Sequence, residues 1–130
     1  MSLMGIDIGT TGCKAGLFSE EGRLLALAYR EYPTLHRKPG WAELDSLQVI
    51  TLIKESIAEA AACAAEDPVT ALCVSAMGEA MTPVSESGDI LGPAILSSDV
   101  RGGEYAGQLA GEMGQGPFYD INPNILAANY

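Results

Sequence analysis

Gly5-Ile6-Asp7-Ile8-Gly9-Thr10-Thr11-Gly12-Cys13-Lys14 is the stretch on which the reading of the fold turns. Leu3 to Ile8 is a short apolar run, Gly9 to Gly12 turns the chain, and Lys14 to Ser19 resumes an extended pattern, so the segment predicts a β-hairpin. Working outward, Glu20-Glu21-Gly22-Arg23 is a second turn signal. Leu24 to Tyr32 then reads as a third strand, with Leu25, Leu27 and Tyr29 at period two on one face. Three antiparallel strands are therefore expected to open the domain.

Beyond them, Pro33 to Glu43 holds two prolines, a glycine, Trp41 and the basic cluster His36-Arg37-Lys38, and reads as an irregular connection. Asp45 has the form of a helix cap with Gln48 three residues on. Val49, Ile53, Ile57, Ala60/Ala61 and Ala64 recur at helical spacing until Pro68 stops the run, which predicts a helix over Ser46 to Glu66. Val69 to Ala76 is β-prone with few charges, as expected of a strand covered on both faces and parallel to the first through the helical crossover. The fold class is α/β, a mixed sheet of three antiparallel strands followed by helix-connected parallel strands. Ala80 to Ser85 and Ile90 to Leu96 flank a turn at Ser87-Gly88-Asp89. Arg101 to Met113 is a weaker helix candidate, ended by Gly114-Gln115-Gly116-Pro117, and Phe118 to Tyr130 shows no clear period.

The opening hairpin has the residue types needed to hold a polyphosphate. Asp7, at the end of the first strand, can hold a magnesium ion, directly or through water. Gly9 lets the backbone approach an anion, Thr10 and Thr11 add hydroxyls and amides, and Lys14 can reach a transferred phosphoryl group. A plain hairpin whose Gly and Thr only satisfy turn geometry is the competing reading. The loop joins two strands and lacks a terminal Gly-Lys-Ser/Thr, so it is not a P-loop, nor is it a dinucleotide fingerprint.

Asp7-Ile8-Gly9-Thr10-Thr11 with Lys14 resembles the first phosphate loop of the actin, hexokinase and heat-shock ATPase superfamily, which implies a ribonuclease H-like (actin-like ATPase) domain. Pro39-Gly40-Trp41-Ala42-Glu43-Leu44-Asp45 is similar to the Pro-Gly-Trp-x-Glu-x-Asp element of the FGGY carbohydrate kinases, the family of xylulokinases, gluconokinases and glycerol kinases. With Gly88 and Asp99-Val100-Arg101, the likeness runs from Met4 to about Arg101, and more faintly to Tyr130. For Trp41 and Asp45, loop packing and helix capping account for the residues without any ligand.

The resemblance implies ATP and Mg2+ as cofactors, a sugar or polyol as substrate, and in-line attack of a hydroxyl on the γ-phosphate. It places Glu79 in the sugar pocket, with Met77 and Gly78 where relatives carry Gln-Met or Gln-Arg; a solvated loop glutamate is the alternative. Asp99 and Arg101 match part of a Trp-x-Asp-x-Arg pattern, which implies Asp99 for a substrate hydroxyl and Arg101 for pairing with Asp99 or with an acidic substrate, a surface ion pair being the alternative. Ser97 stands in place of the tryptophan, which favours a bulkier or more polar acceptor than glycerol or xylulose. Asn124 falls near a family substrate-contact position, though a turn asparagine serves equally. The general-base aspartate and a second domain gripping adenosine are expected downstream, so residues 4–130 read as an N-terminal portion that is inactive alone. Met1-Ser2-Leu3 reads as an added vector leader.

Seventeen acidic against seven basic residues give a formal charge of −10. Beyond the short run His36-Arg37-Lys38 no Lys/Arg cluster exists to displace phosphate counterions, which argues against nucleic acid and anionic membrane as partners. Cys13, Cys63 and Cys73 form no CxxC pair and have no metal-ligand spacing with His36, as in a protein of the reducing cytoplasm. A homodimer stays open for the full-length protein. Two other functions also stay open, a nucleotide-driven switch or activator ATPase and a kinase-derived binding module.

Overall fold

The computed structural model describes residues 1–64 and 67–128. In chain order the elements are β1 (Ser2–Ile8), β2 (Gly12–Ser19), β3 (Leu24–Glu31), β4 (Glu43–Leu44), α1 (Ser46–Ala62), β5 (Val69–Ala76), β6 (Ala94–Ile95), α2 (Gly103–Met113) and α3 (Gln115–Ile121). Four strands form one sheet in the order β3-β2-β1-β5. β1–β2 and β2–β3 are antiparallel, while β1–β5 is parallel. A second, two-stranded sheet pairs β4 with β6. Three antiparallel strands followed by one parallel strand through a helix match the architecture expected from the hairpin.

Side-chain alternation decides which face is covered. Met4 and Ile6 of β1, and Cys13, Ala15 and Leu17 of β2, are buried together with Val49, Ile53 and Ala60 of α1. Asp7, Lys14 and Tyr29, one register position away, lie exposed on the opposite face. α1 begins where the Asp45 carboxylate accepts from the N–H groups of Leu47 and Gln48, at 3.1 and 3.0 Å, which satisfies two of the helix's orphan donors. It crosses over β2 and β3. On β3 the large residues Leu25, Leu27 and Tyr29 point away from it, and the inward positions are the small Ala26 and Ala28. The helix therefore packs close to the sheet over alanines.

Several expectations are corrected. Val69–Ala76 is not covered on both faces: Leu72 and Val74 are exposed, because α1 lies over β2 and β3 and leaves the edge strand without a layer above it. β1 starts at Ser2, whose side chain is buried and donates to the Asp67 carbonyl at 2.7 Å, so Ser2 and Leu3 take part in the sheet. α1 ends at Ala62, since the N–H groups of Cys63 and Ala64 turn back to Ala60 and Ala61 and tighten the last turn; the expected end at Glu66 lies outside the described residues. β4 interrupts the segment read as irregular. α3 occupies a stretch read as having no period, with Pro117 in its first turn, where a missing N–H costs no intrahelical bond. Gly114, at φ 80°, separates α2 from α3. The end of the tail, Asn129 and Tyr130, is outside the described residues.

Isolated bridges Val84↔Ile90 and Met81↔Ile95 close the expected turn, with Gly88 at φ 86°. Among the described residues no helix is long and apolar enough to cross a membrane. Leu17 is fully buried between sheet and α1, so Leu17→Ala is expected to lower the unfolding free energy by about 3 kcal/mol. Urea denaturation followed by circular dichroism checks this; a loss below about 1 kcal/mol is incompatible with this packing.

Candidate functional site

Two groups of sequence-predicted residues leave the sheet at the same end. β1 and β5 run parallel with Asp7 opposite Ser75 and Ile8 opposite Ala76, and the Met77 N–H continues the pairing to the Ile8 carbonyl at 2.9 Å. The Gly9–Gly12 turn and the Met77-Gly78-Glu79 segment therefore emerge side by side from the carboxyl ends of adjacent parallel strands, the position at which α/β sheets open their crevices.

In the first group, Asp7 and Lys14 are cross-strand partners on one face, and both are exposed. Lys14 Nζ stands 5.7 Å from the centre of the Tyr29 ring, a cation–π contact that biases the ammonium toward that face. The turn is closed by the Gly9 N–H donating to the Gly12 carbonyl at 2.9 Å. The amides of Thr10 and Thr11 have no acceptor among the described residues, and both residues are exposed. The donors available to an anion are thus those of the two threonines, while the N–H of Gly9 is spent on the turn. Within the chain, close approach is required at Gly12: a Cβ there would lie 2.6 Å from the Arg30 carbonyl oxygen and 2.7 Å from the Tyr29 ring.

Tyr32, which carries no sequence signal, ties this loop down. Its hydroxyl donates to the Gly9 carbonyl at 2.7 Å and its N–H to the Thr11 carbonyl at 3.2 Å. Burial, with smaller contributions from Cys13 and Asp7, pushes the phenol up to about 12, which keeps it a proton donor through the neutral range.

In the second group, Glu79, Ser97, Asp99, Arg101 and Asn124 line one cavity of about 390 Å³. Residues 79, 99, 101 and 124, from three separate stretches of the chain, thus meet around one cavity. Glu79 has φ 58°, a left-handed conformation that non-glycine residues seldom adopt and that concentrates at functional sites. Asp99 is buried, and both of its oxygens are engaged. They accept from the Ala42 N–H at 2.7 Å, the Arg101 N–H at 2.9 Å, Arg101 Nε at 2.8 Å and Arg101 Nη2 at 2.6 Å. The guanidinium, outweighing the effect of burial, holds the Asp99 carboxyl far below the usual carboxylate range. In the structure, therefore, Asp99 supports Arg101. Arg101 lies 3.8 Å above the Trp41 ring, and its Nη2 also donates to Glu43 at 2.8 Å. The side-chain amide of Asn124 donates to the Asn122 side-chain oxygen at 3.1 Å. Glu43 escaped notice as a site residue even though it stands inside the quoted Pro39–Asp45 element.

Residues 2–130 match the N-terminal domain of the FGGY family of carbohydrate kinases. The glycerol kinase of Acaryochloris marina is 29% identical over 131 residues, covering 98% of this chain and 26% of that protein. The crystal structure of a xylulose kinase from Rhodospirillum rubrum is 30% identical, with a TM-score of 0.82 over 92% of this chain and 25% of that one. Plasmodium falciparum glycerol kinase, solved with ADP, is similar in fold, with a TM-score of 0.89 at 16% identity over 99% of this chain and 26% of that one. The chain spans about a quarter of the length of these relatives.

Tyr32→Phe removes the donor to Gly9 and is expected to cost about 1 kcal/mol, with faster hydrogen exchange at the loop amides. Because the folded-state phenol titrates above its ordinary value of 10, its contribution is intact below pH 10 and is lost as pH rises toward 12. Stability measured across that window should fall more steeply in the wild type than in Tyr32→Phe; parallel curves would show that the phenol is not buried.

Proposed function

The chain belongs to the FGGY family of carbohydrate kinases, and we propose that it supplies the nucleotide-phosphate loop and part of the acceptor pocket of a kinase that moves a phosphoryl group from ATP to a sugar or polyol hydroxyl. The observation that carries this reading is the parallel register of β1 and β5, which brings the Gly9–Gly12 turn and Glu79 out side by side. Phosphoryl transfer needs donor and acceptor groups held together far more than it needs covalent chemistry from the protein. An actin-like, ribonuclease H-like arrangement belongs to the same proposal. The family match favours it over the switch ATPase and the free-standing binding module.

In this reading the free amides and hydroxyls of Thr10 and Thr11 receive the terminal phosphates. Lys14 adds a positive charge from the neighbouring strand. Asp7 is a single exposed carboxylate, and among the described residues no cluster of three metal-binding side chains exists. That donor set fits magnesium, which binds through one or two carboxylates together with phosphate oxygens and water. Bound there, the ion would neutralise charge on the phosphates. Glu79 accepts hydrogen bonds from neighbouring hydroxyls of the acceptor, Arg101, held by Asp99, lines the same cavity, and the space at Ser97 admits a larger or more polar acceptor. The proton-accepting aspartate is assigned to no residue of this chain.

Calorimetric titration with magnesium ADP and magnesium ATP tests the loop. Lys14→Ala is expected to weaken binding about tenfold or more, as for the loss of a charge-assisted contact. Asp7→Asn should remove the magnesium dependence of that affinity. Unaltered binding in both variants would rule out this loop as the phosphate site.

A further inference from the structure

Glu43 is 2% exposed, yet only half of its carboxylate is satisfied. Oε1 accepts from Arg101 Nη2 at 2.8 Å. Oε2 has no hydrogen-bond partner among the described residues; the nearest cation is Arg37 Nε, at 3.6 Å. A buried carboxylate oxygen without an N–H or O–H donor is costly. A glutamine could accept from Arg101 in the same geometry at a smaller desolvation cost, so what glutamate adds at this position is its charge.

The charge acts on the cavity wall. Arg101 is the one cation lining it among the described residues, and Glu79 contributes a carboxylate to the same lining. Asp99 and Glu43 both bond Arg101, so two anions face one guanidinium. The guanidinium is also stacked on Trp41, which Lys38 flanks at 4.5 Å. Glu43 and Trp41 do not line the cavity; they stand behind Arg101. Their place is set by the pairing of β4 with β6, in which Glu43 sits opposite Ile95, itself a lining residue.

We propose that Glu43 is a positioning and specificity-determining residue: with Asp99 it neutralises and orients Arg101, so that the cavity takes a neutral polyhydroxy compound and disfavours one bearing a carboxylate. The proposal rests on the reading of this cavity as the acceptor pocket. Arg101 paired with Asp99 alone is formally neutral; Glu43 makes the group net negative, and with Glu79 beside it the cavity repels an acidic ligand.

Trp41 is the single tryptophan of the 130 residues, so its emission reports on the group stacked over it. Xylitol and xylonate, matched in carbon number, are titrated against the wild type, Glu43→Gln, Glu43→Asp and Arg37→Gln, following Trp41 emission and thermal unfolding. The wild type is expected to bind xylitol more tightly. Glu43→Gln should shift the affinity ratio toward xylonate by about tenfold, the effect of removing one negative charge from near a carboxylate. Glu43→Asp should restore the wild-type preference. Arg37 is exposed, so Arg37→Gln tests the same charge balance without touching the core; it should shift the ratio by about twofold in the opposite direction. A ratio unmoved by Glu43→Gln and Arg37→Gln, in protein that binds xylitol, overturns the role of Glu43 alone. A wild type whose emission and unfolding respond to neither compound removes the acceptor pocket and the proposal with it.

Discussion

β1 is hydrogen-bonded antiparallel to β2 on one side and parallel to β5 on the other, and the rest of the molecule follows from that double pairing. An antiparallel partner needs only the four-residue turn, whereas a parallel partner needs a crossover, which α1 provides. The crossover has to cover one face of the sheet, so Met4, Ile6, Ala15 and Leu17 point inward and Asp7 and Lys14 outward. Slipping β1 by one residue would bury Asp7 and expose Ile6. The same hydrophobic pattern that secures the core therefore holds the candidate phosphate-binding groups in solvent at the carboxyl end of the strands.

A second constraint is electrostatic. Asp99 uses both oxygens within the chain, and Arg101 is shared between Asp99, Glu43 and the Trp41 ring. Burying Asp99 is tolerable because a bidentate guanidinium bond and backbone N–H groups compensate it, whereas Glu43 receives a single hydrogen bond among the described residues, from Arg101. The cluster joins the Pro39–Asp45 element to the segment after β6, and so links the two-stranded sheet to the cavity wall. Trp41 is thus a platform for cations, and its packing role and the placement of Arg101 are one arrangement.

Local signals were strong where one residue type had one physical use. The Gly-Thr-Thr-Gly turn, the Asp45 cap and the apolar spacing of α1 each act within a few residues, and each is found in the structure. Signals failed where a glycine or proline had an uncommon use: Pro117 in the first turn of α3, where it breaks nothing, and Gly114, which divides two helices. Composition also misled at β5. An uncharged, β-prone strand looks buried, but burial depends on what lies over it, and α1 lies elsewhere. Tyr32 and Glu43 were not legible as site residues because their partners, the Gly9 carbonyl and Arg101, are 23 and 58 residues away.

Read alone, the sequence determined the opening three strands and the crossover helix, and singled out candidate residues for phosphate and polyol, because hydrophobic period, turn chemistry and charge act over short stretches of chain. Only the tertiary structure decided which of those residues share a wall, which are spent on internal bonds and which face solvent. Register and layer packing bring distant positions together, and a side chain's remaining hydrogen-bonding capacity exists only once its neighbours are in place.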